Sequence, residues 1–207
     1  MAFKINAEAV EVMARACDES GSALIHVSTD YVFDGASIDG YAENAERNPI
    51  NIYGKSKAKG EEMIQQYLDK YYIVRTSWLY GENGKNFVKT MLKLAETKTE
   101  LEIVNDQVGS PTYTKDLCRA VIENFIDNKP EFGIYHLANA GKCSWFDFAA
   151  EIFRVAGKEI KLNPITTERL GRPASRPKCS ILINTKLPAL RSWKNALSDF
   201  LLPKAPS

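Results

Sequence analysis

The chain has 207 residues, long enough for one ample hydrophobic core or for a domain with a small appendage. Its apolar content of 44%, charged content of 26% and net charge of +1 are those of an ordinary soluble globular protein. With no basic run of five or more, they give no sign of a nucleic-acid-binding surface. The four scattered cysteines (Cys17, Cys118, Cys143 and Cys179), the absence of C-x-x-C and a mere two histidines argue against a disulfide framework or a structural zinc site, and for a reducing compartment; no stretch reaches the roughly eighteen apolar residues of a membrane span, so the cytoplasm is the expected location.

Residues 6–19 place Ala7, Val10, Val12, Met13 and Ala16 at helical spacing and predict an amphipathic helix ending near Gly21. The nearly continuous apolar run Ala23-Leu24-Ile25-His26-Val27 predicts a strand buried on both faces of a parallel sheet. A polar loop from Asp34 to about Pro49 leads into a long helix over 51–69, then a strand over 72–76 and a helix over 85–97. A strand at 101–104, a helix at 114–127, a strand at 133–137 and a helix at 144–156 follow. Beyond Gly157 the sequence turns irregular, with Pro164, Pro173, Pro177 and Pro188, before a short helix near 193–202. His26 and His136 lie in apolar strands and are expected to be satisfied core residues. Repeated strand–helix units imply an α/β fold with a parallel sheet. The chain opens on a helix, whereas a doubly wound nucleotide-binding domain opens on a strand feeding a glycine-rich turn; the pair Gly81 and Gly84 is a weak substitute and fits an ordinary loop turn better.

Tyr53 and Lys57, four residues apart, share one helix face and can point into one cleft. An ammonium beside a phenol is expected to lower the phenol's pKa and keep it ready to exchange a proton near neutral pH. By spacing alone the pair equally suits a solvated helix face.

The surrounding residues add specificity. Ser28-Thr29-Asp30-Tyr31-Val32-Phe33-Asp34-Gly35, Asn51-Ile52-Tyr53-Gly54-Lys55-Ser56-Lys57, Arg75-Thr76-Ser77-Trp78-Leu79-Tyr80-Gly81, Asn86-Phe87-Val88-Lys89-Thr90-Met91-Leu92 and Asp106-Gln107-Val108-Gly109-Ser110-Pro111-Thr112 occur in that order, with Arg176-Pro177-Lys178-Cys179-Ser180-Ile181-Leu182 behind them. From residue 3 almost to its end the chain resembles the dTDP-4-dehydrorhamnose reductases of the extended short-chain dehydrogenase/reductase superfamily. The resemblance implies a partial Rossmann-type doubly wound parallel sheet over residues 1–140. It also implies a small C-terminal substrate-binding segment over 141–207, interleaved with parts of 80–112. It implies hydride transfer from NADPH or NADH to the C4 ketone of dTDP-4-dehydro-L-rhamnose, giving dTDP-L-rhamnose.

In that scheme Thr29, Tyr53 and Lys57 are catalytic. Tyr53 donates the proton, Thr29 hydrogen-bonds the reacting oxygen and Lys57 binds the nicotinamide ribose. Tyr53 and Lys57 thus also count as cofactor-binding. Thr29, Asp30, Trp78, Asn86 and Arg176 are candidates for substrate contact, with Arg172 beside Arg176 as a phosphate ligand. For Trp78 an aromatic core plug is the plain alternative, for Asn86 a simple helix cap, and for the arginines a solvated surface.

The family's first strands, Gly-rich turn and adenosine pocket have no counterpart in the sequence. The pyrophosphate/adenosine site is therefore expected to be missing, and turnover by the chain alone impaired unless another polypeptide or a homo-oligomer supplies that half. A Mg2+ ion at a dimer contact, linked to some members, finds no matching carboxylate cluster. Two rival readings are a non-catalytic interaction protein built on the reductase scaffold and a sugar-nucleotide epimerase or dehydratase.

Overall fold

The structure, a computed structural model, describes residues 1–202. A wide helical turn at Lys4–Glu8 runs into helix α1 (Ala9–Ser20), strand β1 (Leu24–Thr29) and a 3-10 turn at Asp30–Val32. Helix α2 (Ile52–Tyr67) starts where the Asn51 side chain accepts from the Gly54 amide at 2.8 Å, filling one of the free N–H groups of the first turn. Strands β2 (Tyr71–Thr76) and β3 (Leu79–Tyr80) precede helix α3 (Phe87–Leu94). Strands β4 (Glu100–Val104), β5 (Val108–Gly109) and β6 (Thr112–Tyr113) lead to helix α4 (Thr114–Val121), which widens into a π-helical stretch at Ile122–Asn128. Strand β7 (Gly133–His136), strand β8 (Cys143–Ser144), helix α5 (Trp145–Ala156), strand β9 (Lys161–Ile165), helix α6 (Thr167–Leu170) and helix α7 (Trp193–Leu201) complete the order.

The expected α/β architecture with parallel strands is present. Its main sheet has the order β1-β2-β7, parallel throughout. Side chains alternate across β2, the central strand. Tyr72 and Val74 face Leu117, Ala120 and Phe125 of the α4 side, while Ile73 packs with Val10 and Ala14 of α1 and Ile64 of α2. Arg75 shares the Ile73 face and meets Glu61 of α2. A second core gathers Val88 and Met91 of α3, Leu101 and Ile103 of β4, Phe148 and Ile152 of α5, and Trp193 and Leu197 of α7.

Three expectations need correction. Strand β1 is covered only in part: Leu24 packs toward α1 and α2 and Ile25 toward the α4 side, but β1 is an edge strand that pairs with β2 alone among the described residues, and Val27 is 45% exposed. An apolar run marks a hydrophobic strand but not the number of its neighbours. The strand at 101–104 does not join the main sheet; β4 pairs with β9 in a separate parallel two-stranded sheet. Strand β9 itself lies in the stretch expected to be irregular. Its Pro164 sits opposite Ile103, and a proline that cannot donate to a ladder is tolerated because β9 is an edge strand. No helix among the described residues is long and apolar enough to cross a membrane.

Candidate functional site

The site is built where β1 ends. Ser28 and Thr29 are buried, and the chain turns at once into the Asp30–Val32 turn, at the carboxyl end of a parallel strand where ligands of such sheets bind. The Thr29 hydroxyl accepts from the Tyr31 amide at 3.2 Å and donates to Asp30 Oδ1 at 2.9 Å. Tyr53, on the first turn of α2, is 48% exposed, lies close enough to the Thr29 hydroxyl for it to favour the phenolate, and meets the Tyr31 ring edge-on at 5.9 Å between centroids. Gly54 permits this approach. A Cβ there would overlap the Tyr31 carbonyl oxygen, so only a glycine lets the start of α2 lie against the turn after β1.

Lys57 follows one helical turn later and is 9% exposed. Its Nζ donates to the Val27 carbonyl at 2.7 Å and lies 3.0 Å from His26 Nε2. Burial, then the Lys57 charge, pushes His26 down to about 4, so the imidazole is neutral and its Nε2 accepts from the ammonium. His26 is thus only partly buried and holds a site lysine, which the apolar strand reading had not anticipated.

The electrostatics correct one expectation about the Tyr–Lys pair. The Tyr53 phenol is raised, by burial first and by the Asp30 charge, with the Thr29 hydrogen bond opposing. The Lys57 ammonium is drawn to the β1 backbone and to His26. Lys57 itself is lowered by burial, with Glu61 opposing.

Beneath Lys57 lies a buried ionic cluster. The Glu61 carboxylate receives Arg75 Nε at 3.0 Å and Arg75 Nη2 at 2.7 Å, Ser28 Oγ at 2.6 Å and Arg47 Nη1 at 3.1 Å. Burial pushes this carboxyl up, but the hydrogen bonds and charge of Arg75 win and hold it below the usual range. Arg75 also reaches His136 Nε2 at 3.3 Å, while His136 Nδ1 donates to the Ile183 carbonyl at 3.0 Å. His136 is fully buried as expected, and burial followed by Arg75 pushes it down to about 4. Glu61 is four residues past Lys57 on one helix face, so the sequence held a signal for it.

The other candidates form a second region. Trp78 has a left-handed backbone (φ 47), rare for a residue with a side chain, and stacks on Trp145 with centroids 3.6 Å apart and planes at 7°. Gly109 makes room: a Cβ there would come within 2.6 Å of the Trp78 indole. Trp145 and Phe87 line a cavity of about 450 Å³ together with Gln107, Arg172 and Arg176. The charges of Arg176 and Arg172 also reach the Tyr31 phenol and act against the raising effect of its burial. Asn86 caps α3, accepting from the Lys89 amide at 3.1 Å and donating to the Gly81 carbonyl at 2.9 Å. Its side chain is therefore used within the fold. Asp30, 2% exposed, lies under Thr29 instead of on an open pocket wall. A larger cavity of about 690 Å³ runs along a different face of α2, past Lys55, Lys59 and Glu62; Arg47 and Arg75 of the ionic cluster line it, but none of the sequence-predicted site residues does. Among the described residues no group of three or more His, Cys, Asp or Glu side chains could hold a metal ion.

The family profile described as RmlD substrate binding domain matches residues 1–204. The chain is 45% identical over 204 residues to the spore coat polysaccharide biosynthesis protein SpsK of Bacillus subtilis, covering 97% of this chain and 71% of that protein. It is 42% identical over 191 residues to the dTDP-4-dehydrorhamnose reductase of Escherichia coli, covering 88% of this chain and 64% of the reductase. Among solved structures, the dTDP-4-dehydrorhamnose reductase of Bacillus anthracis in complex with NADP superposes with a TM-score of 0.92 at 42% identity, covering 97% of this chain and 72% of that one.

Proposed function

The chain belongs to the RmlD substrate binding domain family, and from that premise we propose that it carries the hydride-transfer and sugar-binding groups of a dTDP-4-dehydrorhamnose reductase. The observation that carries the reading is the convergence of the Thr29 hydroxyl, the Tyr53 phenol and the Lys57 ammonium at the carboxyl end of β1. A reduced nicotinamide dinucleotide, NADPH or NADH, supplies the hydride when bound. The residues fit the nicotinamide end of such a molecule. Tyr53 is half-exposed beside Thr29, and Lys57 has a third N–H left after Val27 and His26 take two. For the pyrophosphate the chain has no G-x-G-x-x-G turn. Reduction by the chain alone is accordingly expected to be slow, and faster with a polypeptide that carries such a cradle.

The ketone oxygen then sits within reach of Tyr53 and Thr29. Tyr53 gives its proton to the oxygen as negative charge grows there, and Thr29 holds the phenol in line. Proton donation by a positioned group contributes about 10²–10⁴-fold. The raised Tyr53 pKa keeps the phenol protonated across the neutral range, as a reducing direction requires. The stacked Trp78 and Trp145 give the sugar and base apolar faces, and Arg172 and Arg176 are placed to pair with the diphosphate. In this reading residues 1–140 present the hydride-transfer groups, and the part from 141 onward, with pieces of 80–112, holds the nucleotide sugar.

The test is to mix the chain with NADPH or NADH and dTDP-4-dehydro-L-rhamnose, with and without a cradle-bearing polypeptide, and follow loss of the reduced nicotinamide and formation of dTDP-L-rhamnose. Ketone-dependent oxidation that Tyr53→Phe abolishes supports the reading. Oxidation indifferent to Tyr53→Phe, or none even in the supplemented mixture, overturns it.

A further inference from the structure

The Thr29 hydroxyl has one proton and two lone pairs to distribute among three neighbours. One lone pair takes the Tyr31 amide at 3.2 Å; Asp30 Oδ1 is 2.9 Å away, and the Tyr53 phenol is near enough to feel the hydroxyl. Thr29 is 6% and Asp30 2% exposed, so solvent does not scramble this arrangement. Asp30 Oδ2 is buried with no partner at hydrogen-bond geometry, although the Ser180 hydroxyl lies near enough to favour its ionised form. A buried carboxyl with one oxygen on a site hydroxyl and the other unpartnered is an expensive feature in a fold.

We propose that Asp30 is a positioning residue that sets the direction of the Thr29 O–H, and through it the hydrogen bond offered to Tyr53 and to the ketone oxygen. This rests on the reductase reading of the site. When Asp30 is ionised, the Thr29 proton points to Oδ1 and Thr29 presents only a lone pair to Tyr53. When Asp30 is neutral, its own O–H points to Thr29 Oγ1 and the Thr29 proton turns toward Tyr53 or the reacting oxygen. Asp30 takes its proton from solvent, forming the carboxyl O–H; Thr29 keeps its own proton and only rotates it. Thr29 thus becomes a second donor to a developing alkoxide only in the neutral state.

Burial pushes the Asp30 carboxyl up to about 6, opposed by the hydrogen bonds of Ser180 and Thr29, which places the change of direction just below neutrality. The titratable and charged groups facing the trio are Tyr31 from the turn after β1, Tyr53 from α2, and Arg172 and Arg176 from the loop after α6. The two arginines act on Tyr31.

The test needs neither dinucleotide nor substrate. In the ¹³C-labelled chain, the Asp30 carboxyl carbon and the Tyr53 ring carbon bearing oxygen are followed by NMR as pH is varied. Both are expected to shift with one midpoint near 6, in place of the 3.8 of an ordinary aspartate. Asp30→Asn removes the Tyr53 step; Thr29→Val removes it while Asp30 still titrates, at a higher midpoint because it has lost the Thr29 donor. An Asp30 midpoint in the ordinary range, a Tyr53 signal that ignores that midpoint, or a Tyr53 step that survives Thr29→Val overturns the proposal, the last by showing a field effect that bypasses Thr29. The unmodified chain supplies the first two outcomes, so a variant that misfolds does not spoil the test. A chain that fails to reduce the ketone leaves the titration readable, so the two failures are distinguishable.

Discussion

Lys57 Nζ lies 3.0 Å from His26 Nε2, and that contact ties the lysine of α2 to the strand that ends in Thr29. The neutral imidazole accepts one N–H and the Val27 carbonyl a second, which leaves the ammonium aimed by two fixed acceptors. His26→Ala is expected to free Lys57 and weaken reduced-dinucleotide binding by about 10- to 100-fold, since hydrogen bonds to charged groups contribute roughly 1.5–3 kcal/mol. His26→Gln, which keeps an acceptor, is expected to restore most of it. Dinucleotide titration of the chain, with a cradle-bearing polypeptide added if binding alone is too weak, measures both. Equal affinities for all three proteins would sink the idea.

The same imidazole makes stability depend on pH. Burial holds His26 and His136 down to about 4 in the folded chain, against the ordinary 6.5 of an unfolded histidine. Between those values the unfolded state binds more protons, so stability is full above about 6.5 and falls as pH drops toward 4. Asp30, raised to about 6, acts in the opposite sense, because the folded state takes up its proton first. Two histidines outweigh one aspartate, so a net loss on the order of 1–3 kcal/mol is expected across that window. Urea unfolding at several pH values checks the sign, and His26→Gln is expected to flatten the slope. A stability that rises on acidification through the window would contradict both histidine assignments.

Glu61 is the anchor of the cluster below. It is fully buried and satisfies Arg75, Arg47 and Ser28 at once. Glu61→Gln leaves the Arg75 guanidinium charged in a dry interior, a change that costs about 3–5 kcal/mol. Because α2 carries both Tyr53 and Glu61, the loss is expected to reach the site as well as the melting temperature. Removing Arg154 from its exposed pair with Glu151 is the control, expected to move stability by less than about 1 kcal/mol.

Much of this was legible in the sequence. The strand read over 23–27, the helix carrying Tyr53 and Lys57 and the α/β order follow from periodicity and turn chemistry, and the observed strand runs two residues further, so that Thr29 is its last residue. Contacts between distant segments were not legible. Trp145 reads as an amphipathic helix residue, and nothing local announces that it stacks on Trp78. Strand β9 is not legible in the sequence because Pro164 reads as a strand breaker, and only the pairing with β4, its one partner among the described residues, shows how it is tolerated. His26 misled for a related reason. An apolar run says that a strand is hydrophobic, whereas the helix lying over it decides which of its residues does chemistry.

Gly109 offers a test of the second region that leaves the Thr29 turn alone. Its missing side chain is the space that the Trp78 indole occupies, and Trp78 is held in a left-handed backbone conformation against Trp145. Such a conformation costs roughly 1–3 kcal/mol and persists only when packing enforces it. A methyl group at 109 would meet Trp78 at 2.6 Å, too close for either to remain. Gly109→Ala is therefore expected to displace Trp78 from Trp145 and to lower stability by about 1–3 kcal/mol, the usual range for overpacking. Tryptophan fluorescence and near-ultraviolet circular dichroism report the lost stacking. If the tryptophan pair holds the nucleotide sugar, the variant is expected to raise KM for the dTDP-sugar while the Tyr53 titration stays as in the parent chain. A lost stack with unchanged KM would detach the pair from substrate binding, and an unchanged stack would show that the indole has room the geometry denies it.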